Sequence, residues 1–157
     1  MHPLMPELER ELHQWGLHGA LVYLNRRVPH RFTNIFRLSL GTFVPIGLVD
    51  KQSLLTLQSQ KPVDFQYSMC RFSLDTGFES ADVTHDERIQ GHLPTDGIGS
   101  YIGLPLRISS DELYGTVCHY DPQPQQVSEQ ELDFFKVAAV RLAHYLATHQ
   151  YQRWDGS

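Results

Sequence analysis

Two cysteines in 157 residues, with no CxxC spacing, are too few for a disulfide framework or a zinc site, so Cys70 and Cys118 read as buried free thiols. No apolar run approaches the ~20 residues that span a bilayer, and the N-terminal MHPLMPELERELHQW is acidic and amphipathic rather than a signal peptide. A cytoplasmic protein without membrane contact is expected. Basic charge is scarce as well: 13 Lys and Arg stand against 18 Asp and Glu, and the net charge of -5 disfavours a nucleic-acid surface. The short pairs Arg26-Arg27 and His30-Arg31 read as a solvated helix end rather than a phosphate site. GxSxG, P-loop and HEXXH strings are missing. His85-Asp86-Glu87 point in different directions and read as a turn with an N-cap, while His13 with His18 and His144 with His149 are mis-spaced for a shared metal.

What is present fits one folded domain over residues 1–157. The chain is long enough to bury a substantial core, and 41% hydrophobic with 20% charged residues argues against disorder. Leu8, Leu12 and Trp15 fall on one helical face after Pro6, and Gly16 is expected to end that helix. Leu17, Ala20, Leu21 and Leu24 predict a second helix that Pro29 stops. From Arg31 the period changes to two, with Phe32, Asn34, Phe36 and Leu38 facing one way and Thr33, Ile35 and Arg37 the other. After a turn at Gly41, residues 43–49 read as a partner strand with a bulge or edge position near Pro45. Residues 50–62 fit either a short helix or a strand. Phe65, Met69 and Phe72 predict a middle helix capped by Asp64. Residues 78–83 read as a short extended piece, Asp86 as the cap of a single turn closed by Gly91, and residues 94–99 as a loop.

The last helix carries the strongest local signal. Ser128 and Glu131 form an S-x-x-E box before a stripe of Leu132, Phe135, Ala139, Leu142 and Leu146, broad enough to cover a sheet. Phe134, Ala138 and Tyr145 form a second face, suited to the N-terminal helix or to a second copy of the chain. Just before it, SYIGLPLRISSDELYGTVCHYD has two apolar runs around the turn Ser109-Ser110-Asp111-Glu112, a β-hairpin with mostly buried strands.

That hairpin, followed by Asp121 and a closing helix, resembles the C-terminal half of a GAF domain, and the earlier ADVTHDERI is similar to a segment that many GAF domains carry. The resemblance extends over about residues 17–146. It implies an α+β fold: an antiparallel sheet of about five to six strands, the N- and C-terminal helices on one face and a ligand-type cavity on the other, walled by residues 64–99. The pocket candidates are then Tyr67, Cys70 and Arg71, Asp82, Thr84 and Arg88, and Tyr101, Thr116 and Cys118 from the sheet. Arg71 and Arg88 offer planar donor forks to a carboxylate or phosphate, although pairing with Asp75 or Asp86 is the simpler expectation.

The implied role is a non-enzymatic, homodimeric sensory module that binds an unknown small molecule and signals through its terminal helices, with a signalling protein supplied in trans. The cofactor is unknown: haem would bind through a histidine, and none of the nine histidines is singled out by a pattern. The Asn-Lys-x-Phe-Asp-Glu string of cyclic-nucleotide GAF domains is missing, and Cys118-His119 mimics a bilin-attachment dipeptide on the wrong kind of element. Two alternatives remain open. One is a GAF-fold methionine sulfoxide reductase using Cys70 and Cys118; the other is a scaffold whose cavity is filled by Phe65, Phe72 and Phe78.

Overall fold

The computed structural model describes residues 2–89, 91 and 97–150. Helix α1 (Met5–Arg26) leads into strands β1 (Phe32–Ser39) and β2 (Thr42–Asp50), then the short strands β3 (Val63–Asp64) and β4 (Phe78–Ser80). The hairpin β5 (Ser100–Ser109) and β6 (Glu112–Asp121) and helix α2 (Glu129–Tyr145) complete it. The six strands form one antiparallel sheet in the order β3-β2-β1-β6-β5-β4. Residues 17–24 and 135–146 pack on one face with Ile35, Leu104, Leu106 and Val117, which forms the main core.

Helix α1 is two helices joined end to end, because Gly16 adopts φ +71° and ψ -155° inside it. That break accounts for the two expected helices. Leu8, Leu12, Leu17, Leu21 and Leu24 are buried, but Trp15 stays 66% exposed, so it is not part of the core face expected for it. Helix α2 keeps its cap, with Glu131 N donating to Ser128 Oγ at 3.1 Å. The Glu131 carboxylate accepts from Arg27 at the far end of α1, and Glu9 pairs with Arg141. The Arg27 pair therefore brings the C-terminal end of α1 to the start of α2, and the Glu9 pair brings its N-terminal half to the end of α2, so the helices run antiparallel. Half-exposed pairs of this kind contribute at most ~1 kcal/mol each. Burial of each large apolar side chain such as Phe134 or Leu142 contributes ~1.5–3 kcal/mol, so packing holds the layer and the ion pairs set its direction.

One expectation is corrected here. Arg27 is no solvated helix end: it is paired and lies over the rings of Tyr23 and Phe134. Of the two partners expected for the second face of α2, the N-terminal helix is the one met: Phe134 and Ala138 are buried and Tyr23 lies edge-on to Phe134.

Strand β1 alternates as its period requires, yet both of its faces are buried over Phe32–Phe36, since residues between 65 and 89 cover the side away from the helices. The bulge falls beside Pro45: Ile35 pairs with Gly47 and Phe36 with Pro45, leaving Ile46 as the extra residue. The β1–β2 loop is Leu40-Gly41, with φ +50° and +77°, the signature of a tight mirror-image turn that favours Asn-Gly. Leu40 is fully exposed, so its side chain gains nothing there. Leu40→Asn is expected to stabilise the protein by about 0.5–1 kcal/mol, read as a higher denaturant midpoint with unchanged slope.

The covering segment differs most from expectation. Residues 50–62 contain one 3-10 turn, Leu57–Ser59, capped by Thr56. The middle helix is replaced by two 3-10 turns, Phe65–Tyr67 and Met69–Ser73, whose first residues are capped by Asp64 and Ser68. Asp86 does accept from Arg88 N, but a further 3-10 turn, Val83–His85, precedes it. Most of the expected 94–99 loop lies outside the described residues.

Candidate functional site

The sheet face away from the helices carries a second cluster: Phe36 and Phe43 from β1 and β2, Tyr101 and Cys118 from β5 and β6, and Met69, Cys70, Val83 and Ile89 from above. Its two ends are aromatic. Phe43 stacks on Phe65 at 5.7 Å on the β2 side, and Phe72 stacks on Phe78 at 5.1 Å on the β4 side. Between them the floor is polar.

Tyr101 is 2% exposed, and its hydroxyl lies 3.0 Å from Ser73 Oγ. Gly103 makes room for that contact, since a Cβ there would lie 2.2 Å from both oxygens. Cys118, on β6, sits opposite Gly103 on β5 and opposite Asn34 on β1. Asn34 accepts from Tyr120 at 2.6 Å and exchanges hydrogen bonds with Gln60 from the covering segment. Thr116 is completely buried, and its Oγ1 makes no hydrogen bond of sound geometry. A buried hydroxyl in that condition costs roughly 1–3 kcal/mol.

The two thiols meet in this floor. Burial alone would push the Cys70 thiol up, but the polar groups of Cys118, Thr116, Tyr101 and Ser68 around it outweigh burial and bring the group down to about 7. Cys118 goes the other way, pushed well above the usual thiol value by burial and by the neighbouring Cys70. Burial and the same two sulfurs raise Tyr101.

The nine residues singled out by sequence therefore do not share one site. Cys70, Tyr101, Thr116 and Cys118 converge on the floor. Tyr67 is 57% exposed, and Arg71 donates to the Gln66 carbonyl on the outer surface, its guanidinium 5.2 Å from the Phe72 ring. Asp82, Thr84 and Arg88 lie elsewhere again: Asp82 and Arg88 line an open cleft of about 490 Å³ with Glu79, His85, Asp86, Glu87 and Gln126. There Thr84 and His85 both bond the Asp82 carboxylate, and His85 holds it below the usual range. Arg88 donates to Asp86 at 2.6 Å and to the Glu79 carbonyl at 2.8 Å, so the expected pairing with Asp86 is what forms. No three of His, Cys, Asp and Glu gather as a metal site among the described residues.

Asn34, Gln60, Ser73 and Tyr120 join the floor without having been singled out. Asn34 had a signal, a polar residue on the Phe32-Phe36-Leu38 face of β1. Gln60 had none, since its place depends on how the irregular 51–62 segment folds back.

The sequence profile of the GAF domain matches residues 13–146. No curated protein matches the chain. Among solved structures, the GAF domain of a phosphoenolpyruvate-protein phosphotransferase from Coxiella burnetii is similar, with TM-score 0.74 and 16% identity over 96% of this chain and 94% of that one. Free methionine-R-sulfoxide reductase from Neisseria meningitidis, solved with its substrate, gives TM-score 0.73 at 12% identity, covering 96% and 89%. The chromophore-binding domain of a bacteriophytochrome from R. palustris gives 0.64 at 11%, covering 92% of this chain and 58% of that one. At these identities the likeness is one of fold, and the same fold serves a reductase and a chromophore-binding domain. With the profile spanning both helices and the hairpin, the chain belongs to the GAF domain family.

Proposed function

We propose that this protein is a non-catalytic sensory module that binds a small polar molecule between the sheet and the 64–99 connection. The observation that carries the reading is the polar floor. Asn34, Ser73, Thr116 and Tyr101 are all buried at the centre of a face whose two flanks are aromatic. Tyr101 and Ser73 satisfy each other and Asn34 is held by Tyr120 and Gln60, so the Thr116 hydroxyl is the group of these four left for a ligand. A ligand that bonds the Thr116 hydroxyl would recover the cost of burying it.

Transmission runs through the sheet. Val117 and Ile35 point to the helix layer from the strands that carry Thr116, Cys118 and Asn34 on the other side. A shift of β1 against β6 is felt under α1 and α2, whose exposed ends are available to a signalling partner.

Thermal-shift screening of the reduced protein with a library of polar metabolites tests the reading. A ligand at a hundred times its dissociation constant adds ~2.7 kcal/mol. Thr116→Val is expected to raise the unliganded stability by about 1 kcal/mol, because it removes an unsatisfied hydroxyl, and to erase the ligand shift. A library without a stabilising compound, or a Thr116→Val variant that keeps the full shift, counts against the proposal. The reductase reading rests on the adjacency of Cys70 and Cys118, and turnover of methionine sulfoxide with a thiol reductant would establish it in place of sensing.

A further inference from the structure

The sensory reading makes no use of the thiol pair as a reactive group. The covering turn Met69–Ser73 is tied to the sheet where Ser73 Oγ and Tyr101 OH meet in the space that Gly103 leaves open. In a 3-10 turn, side chains three apart lie over one another, so Cys70 takes the same face as Ser73, one turn back along the sheet. Gly103 pairs with Cys118, and Cys70 is thereby delivered to Cys118, with which it shares the buried cluster. The two sulfurs belong to segments 48 positions apart in sequence, and both are buried, at 2% and 0% exposure.

We infer that Cys70 and Cys118 form an oxidation site for a small hydroperoxide, which joins them in an intramolecular disulfide that staples the covering turn to β6. Cys70 is the attacking sulfur. Its thiolate is met by the Cys118, Thr116, Tyr101 and Ser68 groups, whereas Cys118 stays protonated. The thiolate attacks one peroxide oxygen: an S–O bond forms, the O–O bond breaks, and the departing alkoxide or hydroxide takes up the proton that the Cys70 thiol had released. The Cys118 sulfur then attacks the sulfenic sulfur, forming the S–S bond and expelling the oxygen, which leaves with the Cys118 proton as water. Two thiols lose two electrons and one hydroperoxide gains them. Hydrogen peroxide is neutral and close to water in size, so it needs only a local opening. The cover consists of two-residue to five-residue elements, the kind that open most readily.

The test uses the reduced full chain treated with modest excess hydrogen peroxide, then alkylated in denaturant and weighed. Both thiols are expected to disappear together, with loss of two hydrogen atoms and no added oxygen. Digestion should then yield a peptide linked through Cys70 and Cys118 that dithiothreitol releases, while the protein stays monomeric on a non-reducing gel. Cys118→Ser should stop at a Cys70 sulfenic acid trapped by a dimedone probe. Cys70→Ser should slow thiol oxidation at least about tenfold. Both thiols surviving peroxide, oxygen addition without a linked peptide, or crosslinking between chains would each overturn the proposal. The linked-peptide map needs no variant, so a variant that fails to fold leaves the test intact. The ligand screen in reductant gives its answer independently of this one.

Discussion

Gly115→Ala is expected to unfold the protein or to leave it insoluble. Gly115 lies in β6, paired with Arg37 on β1 and Leu106 on β5, in the middle of the sheet. A Cβ at this position would sit 1.9 Å from the Phe36 carbonyl oxygen, 2.8 Å from its carbon and 2.9 Å from Arg37 Cα. All three are backbone atoms, so no rotamer change relieves the overlap. Strand β1 must move away by more than about 1 Å to reach ordinary contact distance. That motion breaks the pairing of Phe36 with Thr116 and of Arg37 with Gly115, and opens the sheet between its two halves under Ile35 and Val117. The expected loss exceeds ~4 kcal/mol, a large share of the ~5–15 kcal/mol that domains possess. In a domain of this size that lowers Tm by roughly 10–15 °C, if any folded protein remains. Gly41→Ala serves as the control: its Cβ meets nothing within 4 Å, and the cost is the ~1 kcal/mol of holding alanine at positive φ. Equal melting temperatures for the two variants would contradict the packing argument.

The same contrast between backbone pairing and loose covering explains what the sequence reveals. Strands β1, β2, β5 and β6 and both helices are legible because each has a period and terminators: Ser128 before α2, the Ser109–Glu112 turn, the Pro45 bulge and Gly16 inside α1. Trp15 misleads because it stands at the α1 break, where the turn at Gly16 ends the face that Leu8 and Leu12 share before residue 15 can join it. The cover formed by residues 51–89 is different. Its hydrogen bonds come from caps such as Thr56, Asp64 and Ser68 and from side chains such as Gln60, and 3-10 turns leave no long repeat. Phe65, Met69 and Phe72 recur as a helix would have them, but they are distributed over two turns separated by Ser68. For the same reason the site is only half legible. Cys118, Thr116 and Tyr101 can be read from strand alternation, and Cys70 from the apolar repeat. Arg88 draws attention as a guanidinium, yet it belongs to a separate cleft where Asp86 occupies it.

Acid is expected to destabilise the protein well above the pH at which carboxylates protonate. His30 and His119 are both buried, stacked with ring centres 5.9 Å apart, and His119 in turn stacks on Phe135 at 4.3 Å beneath α2. His119 Nδ1 bonds Thr33 Oγ1 at 2.6 Å, whereas neither nitrogen of His30 has a hydrogen-bond partner among the described residues. Burial lowers His30 to about 4, with Asp121 working against the shift and Lys51 adding to it; burial, His30 and Lys51 hold His119 well below its ordinary value. Below pH 6.5 the unfolded chain binds protons that the folded one refuses, so stability falls as pH drops, by about 1.4 kcal/mol per unit for each histidine. For His30 the loss reaches roughly 3 kcal/mol by pH 4. Asp50, bound by Arg31, and Asp86, bound by Arg88, act in a lower window: their carboxyls are held below the ordinary value, so their contribution is intact above about pH 4 and fades beneath it. Urea denaturation at pH 7 and at pH 4.5 separates the two windows. The wild type should lose several kcal/mol between them. His30→Leu, which removes the unpartnered ring and one of the two buried titrations, should lose roughly 2.5 kcal/mol less. A wild-type profile that is flat down to pH 4.5 would assign the acid sensitivity to the carboxylates instead.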